Sequence, residues 1–150
     1  MTFLPGKRGH GQHWEHRRDL VADAHHLRTQ WGVERMVLLP RIRLAAWAVP
    51  DVVVMLRVAG IDVVRHPVVD QGVPADRASF GRCCAPDRRC DRGWRERGRS
   101  ACVGGLGRTG TTVACLLKDA GLDAGAAIDL TRDSRRGTID DVQERFVRDW

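Results

Sequence analysis

The chain has no tyrosine and only two lysines, Lys7 and Lys118, among 25 basic residues. Without tyrosine, any aromatic wall around a bound ring must come from Phe, Trp or His. The arginine bias is that of GC-rich codons, so the net charge of +6 is a weak sign of a nucleic-acid partner. Its distribution argues the same way. Residues 82–99 hold seven arginines against Asp87, Asp91 and Glu96, a net of +4, which leaves +2 for the rest of the chain. No hydrophobic run approaches a membrane span, and the opening Met-Thr-Phe-Leu-Pro-Gly-Lys lacks the apolar stretch of a secretory signal. Cysteines number five, an odd count that points away from a disulfide framework and toward a reducing cytoplasm.

What is present suits one globular domain over 1–150, with 43% hydrophobic and 29% charged residues. Leu20, Val21, Ala24 and Leu27 recur at helical intervals, and Trp31-Gly32 ends that run. Met36 to Leu39 reads as a short buried strand closed by Pro40. Pro50-Asp51 opens a second helix, Val52 to Ala59, which Gly60 stops; Ile61 to Val64 is a second strand, followed by a loop from His66 to Pro74. Three helical segments close the chain, at 109–120, 123–134 and about 140–149, with Gly121 ending the first and Asp123 capping the second. Strand–helix–strand alternation predicts an α/β fold with a mostly parallel central sheet flanked by helices.

The chemistry concentrates in Cys102-Val103-Gly104-Gly105-Leu106-Gly107-Arg108-Thr109-Gly110. A glycine-rich loop entering a helix turns several backbone N–H groups inward and cradles an oxyanion. Arg108 can grip two phosphate oxygens with its planar fork. Cys102, at the base of that positive cradle, is expected to be a thiolate nucleophile of depressed pKa. The loop between strand and helix thus supplies both the phosphate site (Val103, Gly104, Gly105, Leu106, Gly107, Arg108) and the attacking atom. His10, His13 and His16 are spaced by three, but their glycine-rich setting reads as a surface loop and not as a metal site.

This C-x5-R-[ST] pattern resembles that of the cysteine-dependent phosphatases. Leu4-Pro5-Gly6, Val49-Pro50-Asp51, Gly60-Ile61 and His66-Pro67-Val68-Val69-Asp70-Gln71-Gly72-Val73-Pro74 extend the resemblance to the kinase-associated branch of the dual-specificity and tyrosine phosphatases, over about residues 3–80 and 101–150. The resemblance implies hydrolysis of phosphoprotein monoesters, on Tyr, on Ser/Thr or on both, with no metal or cofactor. It makes Asp70 the general acid, and it implies that the Thr109 hydroxyl bonds the Cys102 thiolate. Thr109 also reads as a helix N-cap. Gln143 resembles the family's water-orienting glutamine, although Thr138 to Gln143 falls one residue short, and helix packing explains it equally well. Where most relatives have His before the cysteine, this chain has Ala101.

One segment departs from the pattern. Residues 81–100 contain no Val, Ile, Leu, Met or Phe, where the family has an amphipathic helix and then an apolar strand. Arg99-Ser100-Ala101 is a poor core strand. GC-rich codons read out of frame give this composition, and that explanation is preferred over a solvated insertion, a nucleic-acid-binding arm or a zinc site of Cys83, Cys84 and Cys90. Two rivals follow: a catalytically impaired pseudo-phosphatase that only binds phosphate, and an arginine-rich nucleic-acid binder.

Overall fold

The computed structural model describes residues 2–10, 15–41, 49–84 and 98–150. Near the start, β1 (Arg8–His10) and β2 (Glu15–Arg17) pair antiparallel, with Gly9 opposite His16. His10 and His16 therefore sit on strands and not in the expected loop, because backbone pairing overrides a glycine-rich local signal; His13 lies outside the described residues. Asp19 starts α1 (Leu20–Thr29) by accepting the Ala22 N–H at 2.8 Å. Ala24 is buried and Leu20 and Leu27 pack against the core, but Val21 points to solvent, narrowing the expected apolar face.

The central strand is β3 (Arg35–Pro40). Parallel to it run β4 (Asp62–Val68), reached through α2 (Val52–Val58), and β5 (Gly98–Ala101), reached after α3 (Arg77–Cys84), giving the order β4-β3-β5. Strand β4 continues four residues past the expected Val64, through His66 and Pro67. Proline is tolerated on an edge strand, and β4 is an edge of the described sheet, its register slipping between Leu38 and Pro40.

Alternation along β3 places the core on both faces of the sheet. Met36 and Leu38 join Leu4, Val33, Val52 and Leu56 beneath α1 and α2. Val37 and Leu39 join Phe80, Ala114, Ile128 and Phe146 on the other side, under α4 (Gly107–Asp119), α5 (Ala124–Ser134) and α6 (Asp141–Arg148). Asp123 caps α5 as expected, accepting the Ala126 N–H, and Gly121 ends α4 at φ +101°. Phe80 meets Trp150 at 5.5 Å and Phe146 at 6.2 Å between ring centroids, locking α3 to the C-terminus. Burying such a ring contributes about 1.5–3 kcal/mol. No helix among the described residues is long and apolar enough to cross a membrane.

The expectation of no core strand before the cysteine is overturned. Residues 98–101 form β5, with Ser100 opposite Val37 and Ala101 opposite Leu38. Ladder hydrogen bonds to β3 impose the strand, and the two buried side chains are small enough to fit. Arg99 is only half-buried, and its guanidinium donates to the Gly98 carbonyl at 2.8 Å, which avoids an unpaired buried charge. Of the rest of that segment, residues 81–84 complete α3, with Cys84 buried, and residues 85–97 lie outside the described residues.

The unusual composition still leaves a mark, because the buried Ser100 Oγ has no hydrogen-bond partner among the described residues. An unsatisfied buried hydroxyl costs about 1–3 kcal/mol. Ser100→Ala should therefore raise stability by about 1 kcal/mol, or about 2–4 °C in Tm for a domain of this size. A lower melting point in thermal unfolding would show that the hydroxyl is satisfied.

Candidate active site

Strand β5 ends at Ala101, and the chain enters the loop at Cys102 before α4 begins at Gly107. Not every glycine in this loop is required. Gly105 is, because it sits at φ +69° and an added Cβ would lie 2.6 Å from the Thr2 carbonyl oxygen. Gly107 is too, since a Cβ there would come within 2.7 Å of the Gln143 amide. Gly104 has no positive φ and, among the described residues, nothing within 4 Å of an added Cβ, so glycine is not required there.

Cys102 is 3% exposed, and its Sγ accepts the Gly105 N–H at 3.2 Å. The Gly105 amide is thus turned to the sulfur, while Val103, Gly104, Leu106, Gly107 and Arg108 line a cavity of about 430 Å³ above it. The first amides of α4 lack intrahelical partners and face an anion favourably. Thr109 is not the N-cap of α4; that position is Leu106. Its Oγ1 accepts the Cys102 backbone N–H at 3.0 Å and so fixes the nucleophile's main chain, where a bond to the sulfur was expected. Burial pushes the Cys84 thiol far above the ordinary range and the Cys115 thiol up to about 12, leaving both inert.

Arg108 is 5% exposed, with its guanidinium tied to the loop that follows β4. Nη1 donates to the Val68 carbonyl at 3.1 Å, and Nη2 meets Asp70 Oδ1 at 2.6 Å. Asp70 itself is 61% exposed at the cavity rim. It stands in a tight turn, where Gly72 N–H bonds the Val69 carbonyl and Gln71 takes φ +56°.

Gln143 joins these parts. Its Nε2 donates to the Gly72 carbonyl at 3.4 Å, and its Oε1 accepts the Asp140 N–H at 3.1 Å. Asp140 in turn accepts the N–H groups of Val142 and Gln143, completing a capping box on α6. The structure therefore brings Cys102, Arg108, Asp70 and Gln143 around one cavity, with Thr109 pinning the loop from below.

Sequence reasoning missed Lys7 and His10, which line the same cavity, along with Gln71, Gly137 and Asp140. The one local signal for Lys7 is its place directly after Leu4-Pro5-Gly6. Burial pushes the Lys7 ammonium below the usual lysine range, and the nearby Cys102 partly offsets this.

Comparison with known proteins agrees with this geometry. The profile of the cyclin-dependent kinase inhibitor 3 (CDKN3) family matches residues 3–124. A crystal structure of kinase associated phosphatase (KAP), carrying serine in place of its catalytic-site cysteine, is similar at 27% identity and a TM-score of 0.78, covering 97% of this chain and 80% of that one. PTPMT1 in complex with PI(5)P shares the fold at 15% identity and a TM-score of 0.65, covering 84% and 81%. Tk-PTP in its active form does so at 20% identity and a TM-score of 0.63, covering 83% and 82%. No curated protein sequence matches the chain. A cysteine whose sulfur accepts a loop amide, an arginine lining the same cavity and a profile match over most of the length agree, and the chain belongs to the cyclin-dependent kinase inhibitor 3 family, with the fold of the protein-tyrosine and dual-specificity phosphatases.

Proposed function

We propose that this chain hydrolyses phosphate monoesters of phosphoproteins, on Tyr, Ser/Thr or both, through a cysteinyl-phosphate intermediate. The observation that carries this reading is the cradle itself: Cys102 Sγ bonded by a loop amide, beneath a cavity whose wall includes the Arg108 guanidinium. The Cys102 sulfur attacks phosphorus, and the bond to the ester oxygen breaks. Arg108 and the amides of Val103 to Arg108 hold the equatorial oxygens as charge builds in the transition state. Asp70 gives its proton to the leaving oxygen, then takes one from the water that cleaves the S–P bond and returns the thiolate. Thr109 keeps the Cys102 main chain in place through both steps. Gln143 positions the acid loop against the phosphate loop, and the second N–H of its amide is left to hold the attacking water.

A free, unbridged Cys102 supports a reducing, cytoplasmic setting, and the substrate partner is a phosphoprotein or phosphopeptide. The deciding experiment is hydrolysis of a small aryl phosphate with vanadate as inhibitor. Vanadate-sensitive release of phosphate is expected. Phosphate binding without turnover would make the chain a phosphate-binding module and no enzyme. Salt-dependent nucleic-acid binding lost on deletion of 85–97, in the absence of phosphatase activity, would favour the arginine-rich binder.

A further inference from the structure

The phosphate loop is gripped from its outer side by groups that the reaction above does not use. Arg135 follows α5 with extended backbone, at φ −160° and ψ 114°. Its N–H donates to the Thr131 carbonyl at 3.3 Å, and its carbonyl accepts the Thr138 hydroxyl at 3.0 Å. From this fixed base the half-buried side chain crosses to the loop, where Nη1 donates to the Gly105 carbonyl at 3.4 Å. The guanidinium carbon lies 4.3 Å from the centroid of the Phe3 ring, a cation–π contact that braces the planar fork. Phe3 is itself placed by the sheet, because Thr2 bridges to Ala101 and donates its N–H to the Ser100 carbonyl at 3.3 Å. The Thr2 carbonyl closes on the same loop, 2.6 Å from where a Cβ on Gly105 would stand.

A peptide group is planar and trans, so its C=O and its N–H point in opposite directions. A Gly105 carbonyl held outward by Arg135 therefore turns the Leu106 N–H the other way. Leu106 lines the cavity, and Gly105 already donates its own N–H inward, to Cys102 Sγ at 3.2 Å. We propose that Arg135, braced by Phe3, is a positioning residue that fixes the Gly105–Leu106 peptide with its N–H toward the bound phosphoryl group. Neither Arg135 nor Phe3 lines the cavity, and both act through that peptide from behind it. The role rests on the phosphatase reading of the Cys102 loop for its substrate, but aiming an amide at an anion needs no turnover.

Calorimetry with inorganic phosphate on the full chain reads the effect, alongside kcat/KM for an aryl phosphate. Arg135→Met should weaken phosphate binding by about tenfold, the scale of one hydrogen bond to a charged group, and lower kcat/KM at least as much. Arg135→Lys keeps a donor and a cation over the ring, and should recover most of the loss. Phe3→Leu should weaken phosphate binding by about two- to fivefold, the scale of an exposed cation–π contact. In the Arg135→Met background it should add nothing, because the ring acts through the guanidinium. Should Arg135→Met fail to fold, Arg135→Gln, polar but two atoms shorter, serves in its place. Unchanged phosphate affinity in the folded variant, a loss that Arg135→Lys does not recover, or full additivity with Phe3→Leu overturns the proposal. A catalytically silent wild type that shows the expected phosphate losses would sink the phosphatase reading and leave the positioning role standing. An active wild type whose phosphate affinity survives Arg135→Met would do the reverse, and a chain that binds no phosphate would overturn both.

Discussion

Cys102→Ser is expected to abolish hydrolysis of an aryl phosphate, with a loss of about 10⁴–10⁶-fold, the scale of removing a covalent nucleophile. A serine hydroxyl is far less ionised than a thiol at neutral pH, so the attacking anion disappears. Binding should survive. The Gly105 N–H that now meets the sulfur at 3.2 Å can bond an oxygen equally well, and Arg108 stays where Val68 and Asp70 hold it. Steady-state kinetics and calorimetry with inorganic phosphate read the two effects separately. Turnover near wild type in the serine variant would remove Cys102 from the chemistry.

Asp70→Asn should lower the rate by about 10²–10⁴-fold for substrates whose leaving oxygen needs a proton. With an acidic nitrophenol as leaving group the loss should shrink, because that oxygen departs unprotonated. The structure adds a second, opposite effect. Asp70 Oδ1 lies 2.6 Å from Arg108 Nη2, so its carboxylate competes with phosphate for the guanidinium. Phosphate affinity should rise in the asparagine variant, by about two- to fivefold given the solvent exposure of Asp70. An equal loss with good and poor leaving groups, without tighter binding, would reduce Asp70 to a residue that shapes the loop.

How much of the fold and the site is legible in the amino-acid order depends on the range of each interaction. The capping of α5 by Asp123, the stop at Gly121 and the strand at Met36 to Leu39 are short-range features, and each stands where the local pattern puts it. The phosphate loop is equally legible, since six consecutive residues after Cys102 carry its geometry. Other features depend on partners far along the chain. Arg99-Ser100-Ala101 has no intrinsic strand character; the β3 ladder, more than 60 residues earlier, makes it one. Lys7 looks like a surface lysine until the Gly6 turn packs onto α1 and folds it into the cavity. Gln143 reads as packing or as catalysis from its neighbours alone, and its links to Gly72 and Asp140 show that it joins a helix start to the acid loop. The amino-acid order therefore decides the cradle and the caps, whose hydrogen bonds close within a few residues. Only the assembled sheet and helices decide which cation, amide and carboxylate face the cradle, because contacts such as Arg108 to Val68 and Gln143 to Gly72 cross 40 and 71 residues and have no local signature.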